Sequence, residues 1–262
     1  MMMSSLVRFE KQNTVGVITL NNPPLNLNQL GTITQLREIC GIISVDRSIR
    51  VVVVTGSGDR AFCVGSDIKE FTDVLDDVVP KKLLKENEAF SALEALPQPV
   101  IGALNGTVLG GGLEIALACD IRILSDTAKI GFPEINLGVF PGSGGVFRLT
   151  RAVGQPKALE LLMTGRQISS QTAECLGLVN ECVPAEQVLT RSMELASELS
   201  NKPALALSII KRAVRESATQ NIDEATFCTL RDSNTVFAGP DIEEGIQAFF
   251  EKRVPEFRAP RP

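Results

Sequence analysis

The sequence predicts an α/β fold, with β-structure enclosed by helices and a helical region at the C-terminal end. Three observations predict it. Val51–Thr55 is a continuous β-branched run and Val100–Leu104 a second apolar one, the mark of strands buried on both faces. Leu30, Ile33, Leu36, Ile39 and Ile43 recur at helical spacing on one side of a single segment. The order strand, glycine loop, helix, strand then repeats several times, while strand signals stop after about residue 186.

The elements follow in order. Two β-rich runs, Leu6–Lys11 and Thr14–Leu20, end at Asn21-Asn-Pro-Pro24, which breaks the chain. The Leu30–Ile43 helix leads to the Val51–Thr55 strand, and residues 81–96 read as an amphipathic helix. After the Val100–Leu104 strand, Gly110, Gly111 and Gly112 open a helix near 111–119, and Ile121–Leu124 is the next strand. A turn at Gly142–Gly145 precedes a helix from about Val146, and Leu178–Val183 reads as the last strand. Pro203 suits the first turn of a helix that Leu205–Val214 continues. Asp223–Phe237 and Asp241–Lys252 are further helices, and the tail Val254–Pro262 is expected to be loosely ordered.

Composition narrows the function. At 44% hydrophobic and 22% charged residues, the chain has the make-up of a soluble globular protein. No apolar run approaches the ~18 residues of a membrane-spanning helix, and the first ten residues lack the charged and apolar regions of a signal peptide. A net charge of −5 with no basic block argues against nucleic acid as a partner. Six cysteines without a CxxC pair read as reduced core thiols of a cytoplasmic protein. The absence of histidine is the sharpest constraint: neither a Ser-His-Asp nor a Cys-His site can be built, and the commonest metal ligand is missing, so no metal is expected. Acid–base chemistry near neutral pH therefore falls to Glu, Asp, Lys or Cys, and a carboxyl serves when burial raises its pKa.

Four segments are candidates for the site. Gly56-Ser-Gly-Asp-Arg-Ala61 matches a dinucleotide fingerprint, but that motif needs a helix opening within it; Gly65 follows instead, and a plain turn is the better reading. In Gly65-Ser-Asp67 a glycine and a capping residue lead into a helix, which leaves the Ser66 N–H free to point outward. Glu114 lies just after the glycine triplet, where a helix start offers unpaired N–H groups and partial positive charge, a cradle for a developing oxyanion; tight helix packing is the competing use of those glycines. Glu134 stands among apolar and turn-forming neighbours that solvate it poorly. Ser143 has Pro141 where a nucleophile elbow needs glycine and serves the turn instead.

Phe62-Cys-Val-Gly-Ser-Asp-Ile-Lys-Glu-Phe71, Asn105–Asp120 and Gly131-Phe-Pro-Glu-Ile-Asn-Leu-Gly-Val-Phe-Pro-Gly-Ser-Gly-Gly145, in that order, resemble the enoyl-CoA hydratase/isomerase (crotonase) superfamily. Leu161–Arg166, Gly177–Asn180 and Gly245–Arg253 extend the likeness over nearly the whole chain. The resemblance implies a crotonase-like spiral of ββα repeats, with an acyl-CoA core over residues 1–200 and a helical oligomerisation region over 201–262. It also implies trimers that pair into hexamers, and a place in fatty-acid metabolism. It assigns Glu114 and Glu134 as catalytic carboxyls and the N–H groups of Ser66 and Gly111 as the oxyanion hole. Leu27, Ser66, Asp67, Ile68, Lys69 and Gly111 become the acyl-CoA contacts. Coenzyme A enters within the substrate, so no separate cofactor is expected. Retention of both glutamates favours hydration of a 2-enoyl-CoA; a Δ3-Δ2-enoyl-CoA isomerase or a non-catalytic acyl-CoA-binding subunit are the alternatives. Three departures stand out. Ser66 replaces the alanine of many members, although the donor is backbone. Leu25 stands where a basic residue is common, so a phosphate contact is either missing or supplied elsewhere, by Lys69 or a neighbouring subunit. Phe132 and Phe140 differ from the short-chain pattern and could reshape the acyl pocket.

Overall fold

A computed structural model describes residues 5–257. Its ten strands are β1 (Val7–Gln12), β2 (Val15–Leu20), β3 (Val51–Gly56), β4 (Ala61–Cys63), β5 (Val100–Leu104), β6 (Thr107–Leu109), β7 (Ile121–Ser125), β8 (Lys129–Gly131), β9 (Ile168–Ser169) and β10 (Glu181–Val183). They form two sheets. The larger runs β1-β2-β3-β5-β7-β10, with β1 and β2 antiparallel and the rest parallel. The smaller runs β4-β6-β8-β9, in which β4, β6 and β8 are parallel and β9 antiparallel.

The connections explain the two sheets. β3 and β4, β5 and β6, and β7 and β8 are each joined by a few residues, so the chain places one strand in the large sheet and the next in the small one. A helix then returns it for another pass, which is the spiral of ββα repeats that the resemblance implies. The first helices are α1 (Leu30–Val45), α2 (Leu84–Glu94), α3 (Gly111–Ala118), α4 (Gly145–Val153) and α5 (Gln155–Thr164). They are followed by α6 (Ser170–Cys175), α7 (Val188–Ser200), α8 (Ala204–Glu216), α9 (Ile222–Phe237) and α10 (Asp241–Glu251).

β3 shows why a continuous β-branched run marks a central strand. Val52 and Val54 face the main core with Ile33, Leu36, Phe90 and Leu93, while Val51 and Val53 join a second cluster with Val188 and Ala196 of α7. All four valines are fully buried, and successive side chains point to opposite faces. The helical C-terminal region is tied to the core through ion pairs. Asp120 receives Lys211 at 2.7 Å and Arg215 at 2.8 Å, and Arg50 donates to the Lys202 carbonyl at 2.6 Å.

The structure corrects two expectations. The last strand is shorter than 178–183, because Leu178 and Val179 fill the core from a turn before β10 begins at Glu181. The cysteines are not all core thiols: Cys40, Cys63 and Cys119 are buried, Cys175 is exposed, and Cys182 and Cys228 are half-buried, all six free. A third expectation holds: Gly56–Ala61 is a plain turn that opens no helix. It is a bend from β3 into β4, closed by the Asn105 amide donating to the Gly56 and Gly58 carbonyls at 3.0 and 2.7 Å. Part of the tail expected to be loose, residues 258–262, lies outside the described residues. Among those described, no helix is long and apolar enough to cross a membrane, and no group of three His, Cys, Asp or Glu is placed to hold a metal.

Candidate active site

Three adjacent parallel strands of the small sheet end at the predicted site. Two or three residues past the last residue of β4, β6 and β8 come Ser66, Gly111 and Glu134. Register fixes them side by side, with Cys63 paired to Val108 and Leu109 to Gly131. The carboxyl ends of parallel strands are where α/β sheets leave backbone and side chains free for a ligand.

The first of these ends turns at Gly65, whose φ of 97° is left-handed. Asn28 donates to the Gly65 carbonyl at 2.8 Å and accepts from Asp67 N–H at 3.1 Å. In a parallel bridge of this kind the intervening residue's own N–H points the other way. The Ser66 amide therefore faces away from Asn28, as the sequence suggests. Asp67 caps the 3-10 turn Ile68–Asp73 by accepting from Lys69 N–H at 3.1 Å. The Gln29 amide also donates to it at 3.0 Å, and that bond leads the effects holding its carboxyl below the usual range. Glu70 accepts from Leu30 N–H at 3.0 Å, so the same turn caps α1. Leu27 is half-buried beside Asn28, and Ile68 and Lys69 are exposed.

The second end is the glycine triplet, whose members do three different things. Gly110 has φ 53° and ψ −127°, a conformation that L side chains rarely adopt. Gly111 is the first residue of α3, where the N–H has no acceptor inside the helix. At Gly112 a Cβ would stand 2.1 Å from the Cys63 carbonyl oxygen, so the bare backbone is what lets α3 dock on β4. The first two ends touch: a Cβ at Gly65 would lie 3.4 Å from the Gly111 nitrogen, and one at Gly111 would lie 3.7 Å from Ser66 Oγ. The two free amides thus belong to abutting segments, near enough to be candidates for a shared oxyanion hole.

Glu114 lies in the first turn of α3, 3% exposed. Its Oε1 accepts from the N–H groups of Ser143 and Gly145, both at 2.8 Å, at the start of α4. Burial pushes its carboxyl up to about 8, against the downward pull of those amides and with further upward push from Glu86 and Glu134. Glu134 opens the 3-10 turn Glu134–Leu137 beyond β8. Burial, with Glu86 adding, pushes it up to about 7, and its Oε2 is buried without a hydrogen-bond partner. Its Oε1 lies against Gly110, where an added Cβ would stand only 2.7 Å away. Gly110→Ala should therefore strain the turn and displace this carboxyl, costing about a hundredfold in turnover, as ~1 Å misplacements do. Steady-state kinetics on the folded variant checks it.

Glu134 adds to the upward push on Glu114, so the two titrations are coupled, and both carboxyls keep their protons closer to neutral pH than an ordinary glutamate does. The site also contains residues the sequence reading did not single out for it. The Ser143 and Gly145 amides anchor Glu114, and Ser143 Oγ donates to Glu86, itself 2% exposed, at 2.5 Å. Both side-chain atoms of Asn28 are buried and unpartnered beside Gly111. Phe132 is 1% exposed within the main core against Gly145, whereas Phe140 is 70% exposed. Leu25 is half-buried and its carbonyl accepts from Val64 N–H at 3.1 Å.

Comparison with known proteins identifies what the whole chain is similar to. The family model described as enoyl-CoA hydratase/isomerase matches residues 10–260. A probable enoyl-CoA hydratase of Mycobacterium bovis is 39% identical over 257 residues, 95% of this chain and 96% of its own. A short-chain-enoyl-CoA hydratase of Clostridium acetobutylicum is 36% identical over 94% of this chain and 95% of its own. The crystal structure of an enoyl-CoA hydratase from Bacillus anthracis superposes with a TM-score of 0.93 at 34% identity, covering 97% of this chain and 99% of the other.

Proposed function

The chain belongs to the enoyl-CoA hydratase/isomerase family, and from that premise we propose that it adds water to a 2-enoyl-CoA thioester to give a 3-hydroxyacyl-CoA. One observation carries the reading. A buried carboxyl and a half-buried one, both raised toward neutral pH, share a site with two unpaired backbone amides at the ends of adjacent strands. Relatives named enoyl-CoA hydratase support the same reaction.

Conjugation with the thioester makes C3 electrophilic. Glu114 orients a water and takes one of its protons as the oxygen bonds to C3. Electrons move through C2 to the thioester oxygen, whose charge the Ser66 and Gly111 N–H groups hold. Glu134 delivers a proton to C2, and the carbonyl re-forms. The amides on Glu114 Oε1 favour charge at that oxygen. Burial raises both carboxyls toward neutral pH, so each can hold or release a proton there, and a bound water between them can pass it from one to the other. Coenzyme A enters as part of the substrate; Leu27, Asp67, Ile68 and Lys69 lie on the two segments joined at Asn28 and Ser66, beside the proposed thioester position.

Residues 1–200 are taken as the acyl-CoA core and 201–262 as an oligomerisation region. Phe227, Leu230, Phe237, Phe249 and Phe250 on α9 and α10 are each more than 60% exposed, an apolar surface that a trimer or hexamer would cover.

The test is an acyl-CoA panel scored for hydration, isomerisation and hydrolysis. Crotonyl-CoA and longer 2-enoyl-CoAs should lose the conjugated-thioester absorbance and gain the mass of water. Turnover confined to 3-enoyl-CoA, with deuterium taken from deuterated water, would replace this reading by Δ3-Δ2 isomerisation. Binding without turnover would make the chain a non-catalytic acyl-CoA-binding subunit.

A further inference from the structure

Glu86 connects the two halves of the site, although no segment carrying the family likeness contains it. Its Oε2 accepts from Ser143 Oγ at 2.5 Å, and the Ser143 amide is one of the two that anchor Glu114. Its Oε1 lies 2.9 Å from Lys82 Nζ and 3.4 Å from Ser66 Oγ, and the Ser66 amide is the proposed oxyanion donor. One carboxylate therefore touches one of the two residues that anchor Glu114 and the residue proposed to hold the developing charge.

The ion pair itself is unusual. The side chains of Lys82 and Glu86 are each 3% exposed, and Lys82 Nζ has no hydrogen-bond acceptor of adequate geometry, only the Glu86 carboxylate and the Phe71 ring at 5.9 Å. Buried ion pairs are often no more stable than apolar replacements of the same volume, so stability alone does not account for this one.

We propose that Glu86 is a positioning residue for the reaction: neutralised by Lys82, it fixes the Ser143 loop that anchors Glu114 and sets the charge facing both catalytic carboxyls. The inference rests on the hydration reading. The charged and titratable groups around Glu86 are Lys82 one turn before it, Glu114 from α3, Glu134 from the turn beyond β8 and Cys63 at the end of β4. Arg148 of α4 reaches the same loop through the Ser143 carbonyl at 3.3 Å. The charge of Glu86 pushes Glu114, Glu134 and Cys63 upward, which agrees with this geometry.

The experiment compares wild type, Glu86→Gln, Lys82→Met and the double variant in enoyl-CoA hydration, between about pH 5 and pH 9, with folding checked by circular dichroism. Glu86→Gln removes a negative charge and leaves Lys82⁺ unbalanced, so both limbs of the pH profile should move to lower pH. Lys82→Met leaves the Glu86 charge unbalanced, so both limbs should move to higher pH. At its own optimum, Glu86→Gln should lose about ten- to a hundredfold in kcat, the equivalent of one charge-assisted hydrogen bond, with KM within about threefold. The double variant replaces the pair by neutral groups of similar size and should fold even where a single variant does not, while keeping the loss in kcat. A merely structural role predicts no opposed shift of the two profiles. Single variants that move the limbs in the same direction, or a folded double variant with wild-type kcat, overturn this inference alone. A wild type inert toward every enoyl-CoA overturns the hydration reading, and this inference with it.

Discussion

Glu114→Gln is expected to lower kcat for enoyl-CoA hydration by about 10²–10⁴-fold, the range lost when a positioned acid–base group is removed, while acyl-CoA binding stays nearly unchanged. The reasoning separates geometry from chemistry. Glutamine keeps a carbonyl oxygen where Oε1 now accepts the Ser143 and Gly145 amides, so the start of α4 should stay in place. It cannot take a proton from water near neutral pH. Glu134→Gln should have an effect of the same order, because the C2 proton then has no donor. Its buried Oε2 makes no hydrogen bond that the substitution would break. Single-turnover kinetics, with thioester binding followed by calorimetry, distinguishes this from a loss of fold or affinity. Wild-type hydration rates in both variants would refute the two-carboxyl mechanism.

The parts of the molecule that were legible in the sequence are the long ones. β3 and β5 declared themselves through runs of buried residues, and α1 through its repeat of Leu30, Ile33, Leu36 and Ile43. The small sheet was not legible at all. Its strands are two or three residues long, too short to display a period of two. Yet that sheet is what gathers the site. Ser66, Gly111 and Glu134 were readable from local motifs, but their common position at three neighbouring strand ends exists only through register.

Glu86 was missed for a related reason. Lys82 and Glu86 stand four apart on a segment that reads as an amphipathic helix, where such a pair is ordinarily solvated. The structure reverses that face. Both are buried, Leu84 between them is 51% exposed, and the helix begins in a π turn, Val79–Leu83. The glycine triplet shows the opposite case. Packing and oxyanion cradle looked like rival readings of one motif; the backbone gives the packing to Gly112 and leaves the Gly111 N–H for the proposed cradle.

The second large effect concerns stability, and it has the opposite sign to the loss of activity. Glu114 ordinarily titrates near 4.5, whereas burial raises it to about 8 in the folded protein. Between those values the folded state keeps a proton that the unfolded state has released. Stability must then fall as pH rises through this window, because the unfolded state binds fewer protons. Each unit of separation is worth ~1.4 kcal/mol, so the loss from Glu114 alone reaches several kcal/mol by pH 8, with Glu134 adding in the same direction. Glu114→Gln removes this term. The variant should be more stable than wild type, by little near pH 5 and by roughly 2–5 kcal/mol near pH 8.5. Urea unfolding at fixed protein concentration, at both pH values, measures it. Carboxyls held low by hydrogen bonds, such as Asp67 and Asp232, finish titrating below the window and leave the comparison undisturbed. A variant whose advantage over wild type grows as pH rises is what a buried carboxyl with a raised pKa predicts; the same pH dependence of stability in both proteins would show that Glu114 gives up its proton as readily folded as unfolded.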